Sequence, residues 1–184
     1  MPQPIQLADP VASQDSVDDR FADAFGPVAL TNFATNPGGA HLFRQQHELL
    51  GGLMNTILVA TERDVAGQSP VVARTALTIL NTRLPLHQSL EDALIHSALG
   101  NEPRASMLAE QFERDMVPLL SDLASLSRRY PTASSILQAP PGEFAQACAG
   151  LFSRLRERFR REERDLFPAF DRATRGTPTL AAVA

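Results

Sequence analysis

Histidine and carboxylate recur at helical spacing in two stretches of this sequence, LHQSLEDALIHSAL near its middle and LRERFRREERDLFPAF near its end. In the first, His87 and Glu91 stand one helical turn apart, so an imidazole and a carboxylate share one face. Such a pair can ligate a metal ion, or the acid can hold a partly buried histidine through a hydrogen bond. Laid over each other, the stretches put His87 on Arg158, Glu91 on Glu162, Asp92 on Glu163, Ile95 on Leu166 and Ala98 on Ala169. The two stretches resemble each other, but one carries arginine where the other carries histidine.

Four long patterns of helical period must position these groups. Phe43, Leu50, Met54, Ile57 and Leu58 mark a first helix from Ala40 to about Arg63. Leu77, Leu80, Leu84, Leu90, Leu94 and Ala98 mark a second from about Val71 to Leu99, with Pro85 expected to kink it by removing one backbone donor. Leu108, Phe112, Met116, Leu119 and Leu123 define a third, capped at or just before Ser106 and reaching about Tyr130. Leu151, Phe152, Leu155, Phe159, Leu166 and Phe170 define a fourth from about Gly142 to Thr174. NPGGA, AGQSP, GNEPRAS and PTASSILQAPPGE separate the patterns, and period-two alternation is absent. The expected fold is all-α, an antiparallel up-down four-helix bundle over residues 40–174. Residues 1–39 read as an extended, partly disordered N-terminal arm, whose Phe21, Phe25 and Phe33 either pack across the bundle's end or meet a protein partner. Residues 175–184 read as a disordered tail.

The bulk properties narrow the function. With 184 residues and 43% apolar content the chain suits one domain with a sizeable core. A net charge of −4 with interspersed signs offers no broad basic face, so nucleic acid is not an expected partner. The single cysteine, Cys148, lies among alanines and reads as a packing residue. Without an apolar run long enough to span a bilayer, and without a basic, apolar leader, no membrane role is expected and the protein is placed in the cytoplasm.

Helical geometry then selects the inward polar groups. His87 sits near the centre of its stripe and Glu91 about 40° from it, whereas His96 lies about 180° from His87 and should face solvent. His47 falls within roughly 60° of the first stripe's centre, and His41 points away. On the third helix Asp115 is about 65° and Glu113 about 95° from the apolar direction, so only one of them can face inward. On the fourth, Glu162 lies about 40° to one side of the stripe and Glu163 about 60° to the other. Arg158, about 80° off, either pairs inside with Glu162 or Glu163 as a permanent internal cation or, the reading slightly favoured, sits at the rim with its charge carried to water. His47, His87, Glu91, Glu113 or Asp115, and Glu162 or Glu163 are therefore the candidate metal ligands, one or more from each helix. Imidazole with carboxylate favours iron, manganese or zinc.

The ordered motifs, His47, then HQSLED, then EQFERDM, then RFRREERDLFP, resemble the hemerythrin-like, HHE cation-binding, domain family, and more narrowly a bacterial subfamily with a histidine-poor site. The resemblance implies a helical bundle holding mononuclear or dinuclear non-haem iron, with a small diatomic or peroxide as its ligand. Arg158 stands where the family pattern has a fourth-helix histidine, and acids stand on the third helix in place of histidines, so reversible dioxygen carriage is not expected. The leading expectation is a protein that senses or handles iron, dioxygen, nitric oxide or peroxide. The alternative is a metal-free helical-bundle interaction module whose inward ions pair with one another. An enzyme, reducing peroxide at a carboxylate di-iron centre, ranks third, because no additional acid-base group or substrate pocket is legible.

Overall fold

In a computed structural model, which describes residues 40–62, 69–100 and 102–175, the helical patterns of the sequence close into a bundle. Helix α1 spans Ala40–Glu62, α2 Ser69–Leu99, α3 Pro103–Arg129, and a short α4 Ala133–Leu137. The fourth long rod is composite: α5 (Glu143–Arg161), a π-helical turn (Glu162–Leu166) and α6 (Phe167–Arg175). No strand occurs among the described residues. The expected arm over residues 1–39, with Phe21, Phe25 and Phe33, lies outside the described residues, as do residues 176–184 of the expected tail. Arg175, the first residue of that tail, is still helical.

Local chemistry explains the ends. The third helix starts earlier than Ser106, because Pro103 at its first position lacks a hydrogen that would have no partner there. Thr132 and Ser135 cap α4 reciprocally, so the link between the third and fourth rods is ordered by its own hydroxyls. Gly142 begins α5 with φ of 79°, a conformation that only glycine adopts readily.

Each rod packs against its neighbours in sequence, and the fourth closes back on the first. The core is split in two along the bundle. One apolar cluster holds Leu50 through Ile57 of α1, Ala73 through Leu84 of α2, Met116 through Leu126 of α3, and Phe144 through Phe159 of α5. The other holds Ala40 and Phe43, Ile95 and Leu99, Ala105 through Phe112, and Leu166 through Phe170. Between them lies a layer of buried polar side chains: Gln46, His47, His87, Gln88, Glu91, Arg158 and Glu162. Burying such groups without partners costs several kcal/mol for a charge, so this layer is where a function must be sought.

Candidate metal centre

Helix α1 brings His47 to the layer and clamps it. Its ring stacks on Phe159 at 4.1 Å and 12°, and on Phe167 at 5.3 Å and 26°. Nδ1 bonds Glu163 Oε1 at 2.8 Å, which leaves Nε2 turned inward, 3.1 Å from Glu162 Oε2 but without the alignment of a hydrogen bond. Burial lowers the affinity of His47 for a proton, yet the carboxylates of Glu162 and Glu163 outweigh it and raise its pKa.

Helix α2 supplies His87 from the facing side, its ring 4.9 Å from that of His47. Nδ1 of His87 donates to Gln46 Oε1 at 2.8 Å, fixing the tautomer and leaving the Nε2 lone pair buried with no partner. Burial first, then the positive charges of His47 and Arg158, hold this imidazole neutral. One turn on, Glu91 is buried with neither oxygen finding a donor, and its Oε2 stands 3.8 Å from His87 Nε2. Burial, followed by the charge of Glu162, pushes its carboxyl well above the usual carboxylate range. Glu91 therefore needs either a proton or a cation.

The fourth rod contributes Glu162, fully buried at the start of the π turn. The N–H of Phe167 bonds the Glu162 carbonyl, and Pro168, next in the chain, has no N–H to return to the preceding turn. That turn corrects the register. A straight helix would swing Phe167 about 120° from Leu155, whereas here Phe167 is fully buried against Phe43. Of the two acids proposed for this helix, Glu162 enters the core, and Glu163, 41% exposed, stays at the rim and holds His47.

Arg158 departs from the favoured expectation. It is 3% exposed rather than carried to water, and its guanidinium pairs with Glu162 one turn on. Nη2 also donates to the Phe112 carbonyl at 2.9 Å, with the guanidinium carbon 4.4 Å from the Phe112 ring centre. The charge is buried because the carboxylate, a main-chain oxygen and an aromatic face together replace its water. The two like stretches thus present His87 with Glu91 and Arg158 with Glu162.

The expected third-helix ligand is not met. Phe112 and Met116 occupy the stripe of α3 at this level, so Glu113 and Asp115 are turned to its opposite edges. Glu113, half-exposed, reaches His96 of α2 at 3.5 Å, and Asp115, partly buried, reaches Arg161 at 3.2 Å. His96, expected in solvent, is one-third exposed at the same edge. From α3 the layer receives only the Phe112 carbonyl and ring. Gln46 was missed by a reading confined to ionisable groups, although it lies on the same apolar stripe as Phe43 and Leu50.

His47, His87 and Glu162 each offer a buried ligand atom, and these atoms lie within 4.8 Å of one another. Two imidazoles, His87 neutral and His47 neutral once it gives up its proton, with one carboxylate are a donor set for a first-row divalent metal, and the unpartnered Nε2 atoms and Glu91 oxygens are what such an ion would satisfy. The residues present fit a metal ion. Away from this centre, Cys148 is fully buried, and burial pushes its thiol up to about 12, as suits a packing residue. No helix among the described residues is long and apolar enough to cross a membrane. Neither the curated proteins nor the solved structures provide a match to the chain. The family model of the hemerythrin HHE cation binding domain matches residues 38–170, which takes in the first three long rods, the fourth as far as Phe170, and every residue of the buried layer. The chain belongs to the hemerythrin HHE cation-binding domain family.

Proposed function

We propose that the bundle holds a single non-haem iron ion on His47, His87 and Glu162, with Glu91 as a neighbouring carboxylate. In this reading it serves in the cytoplasm to sense or handle iron, dioxygen, nitric oxide or peroxide rather than to turn over an organic substrate. The observation that carries the reading is the convergence of three buried ligand atoms within 4.8 Å of one another, with both histidine Nε2 atoms lacking a hydrogen-bond partner. When bound, the ion supplies open coordination positions for a small ligand. The narrow cavity that reaches Glu91, of about 10 Å³, suits something the size of water or a diatomic molecule.

Charge supports one ion rather than two. Glu91 and Glu162 lie side by side, and Arg158 is already a fixed cation on Glu162. A divalent ion beside Glu91, together with Arg158, balances Glu91, Glu162 and Glu163. A second ion would have to displace the guanidinium. Metal analysis of protein purified without chelator should give about one ion per chain, iron under iron-replete growth. Two ions per chain would refute the mononuclear reading. Failure to take up ferrous iron, manganese or zinc would refute the site.

The metal-free interaction module remains as a second reading because of that same buried Arg158–Glu162 pair, which gives Glu162 a counter-charge with no metal present. It leaves Glu91 to be relieved by a proton. The metal analysis separates the two.

A further inference from the structure

The surroundings of the centre are unlike on its two sides. Towards α1 and the fourth rod, His47 is held between Phe159 and Phe167, and Phe43 lies edge-on to His87 at 5.9 Å. An ion passing there would have to part stacked rings. Towards α2 and α3 the lining mixes polar side chains with apolar ones such as Ile95. At about 100° per residue, Glu91, Gln88, Asp92 and His96 follow His87 round α2 at roughly 40°, 100°, 140° and 180°. They form a staircase from core to surface. Gln88 Nε2 donates to Asp92 Oδ1 at 2.5 Å, and His96 meets Glu113 of α3 at 3.5 Å at the outer end. All of these except His87 line one narrow cavity, floored by Ala109, Phe112 and Leu166 and ending on Glu91 and Arg158. At its inner end the Gln88 Oε1 and both Glu91 oxygens are buried and lack a hydrogen-bond donor.

We infer that this polar seam between α2 and α3 is the route by which a divalent cation is exchanged between solvent and the buried centre, with Asp92 and Glu113 at its mouth, Gln88 at its narrowest part and Glu91 as the inner hand-over ligand. The chemistry it selects is that of a small, hard or borderline cation stripped of most of its water. Carboxylate and amide oxygens replace that water in succession, and an acidic mouth raises the local cation concentration. Glu113, which is no ligand of the centre, acquires a role in this way. The inference rests on the metal-binding reading above.

A route sets how fast the ion moves in either direction and leaves its final affinity alone. The test is cobalt(II) uptake by the full-length chain, followed by its absorbance in stopped flow, and extraction of the bound ion by excess chelator. Gln88→Ala widens the seam and should speed uptake and extraction alike by about tenfold, while Ala109→Val narrows it and should slow both by about tenfold. The ratio of the two rates should stay constant. Where Ala109→Val fails to fold, Gln88→Ala decides alone. Asp115→Asn, on the other edge of α3, should change neither rate. Unmoved rates in folded variants would overturn the route and leave the metal site standing. A changed ratio would also overturn it, since the residues would then act on affinity. Absence of cobalt uptake by the unaltered chain would overturn the site and the route together.

Discussion

Truncating Arg158 to alanine probes the layer most directly. The side chain is 3% exposed and its partner Glu162 is fully buried, so the substitution leaves the core carboxylate with only the His47 imidazole, 3.1 Å away, to offset its charge. Breaking a buried pair from one side costs about 3–5 kcal/mol. The Phe112 carbonyl loses its donor and the Phe112 ring its cation, but these losses overlap with the first and do not simply add. A value near 4 kcal/mol corresponds to a fall in Tm of roughly 10 °C for a domain of this size. The assay is thermal and urea unfolding of the chelator-treated protein, followed by circular dichroism. Arg158→Met combined with Glu162→Leu should recover most of the loss, because removing both charges also removes the desolvation that each imposes. Added ferrous iron should restore part of the stability of Arg158→Ala, since an ion can take over the charge of Glu162. A loss of about 1 kcal/mol or less would refute the reasoning, for that is the effect expected of an exposed ion pair.

The other expectations concern the ligands and their supports. His87→Ala should abolish metal binding while His96→Ala leaves equilibrium occupancy unchanged, as read by metal analysis after dialysis; equal losses would mean that the inward face of α2 has been misassigned. Gln46→Leu removes the acceptor that fixes the His87 tautomer and should weaken metal binding by about 10- to 100-fold without changing stoichiometry, measured by competition with a chelator. In the metal-free chain, burial and then Glu162 keep Glu91 protonated beyond the usual carboxylate range, whereas the unfolded chain loses this proton above about pH 4.3. The unfolded state then binds fewer protons, so stability should fall as pH rises until the folded group ionises. Glu91→Gln should remove that slope in urea unfolding with chelator between about pH 5 and pH 8, and parallel curves for the two proteins would count against a protonated Glu91.

Periodicity made the rods legible. Apolar stripes placed α1 and α2 to within about two residues at each end, the usual margin for helix boundaries. Of the inward groups, His87 could be read because it falls near the middle of its stripe, Glu91 and Glu162 because each lies about 40° from a stripe's centre, and His47 because it shares a side with Leu50 and Met54. Phe167 could not. Its burial depends on the π turn, and no pattern in REERD signals one extra residue in a turn. The third-helix acids were misjudged for a related reason. Their angles to the mean apolar direction differed by less than the width of the stripe, and contacts with His96 and Arg161 decided where they point.

Arg158 shows a different limit. Its angle from the stripe fitted the rim, and a long stem ordinarily lets arginine reach water. What holds it inside is the position of Glu162 one turn later and the Phe112 carbonyl of another helix, and only the second of these is invisible in the sequence. The likeness of the two stretches bears on the first, since Arg158 and Glu162 align with His87 and Glu91. Two adjacent carboxylates at the centre of a bundle require two positive charges to ionise together. The fixed guanidinium provides one, so that the layer can exist before any ion arrives. In the metal-binding reading proposed above, the second charge comes from a proton, on Glu91 or on His47, or from a metal ion between the two histidines.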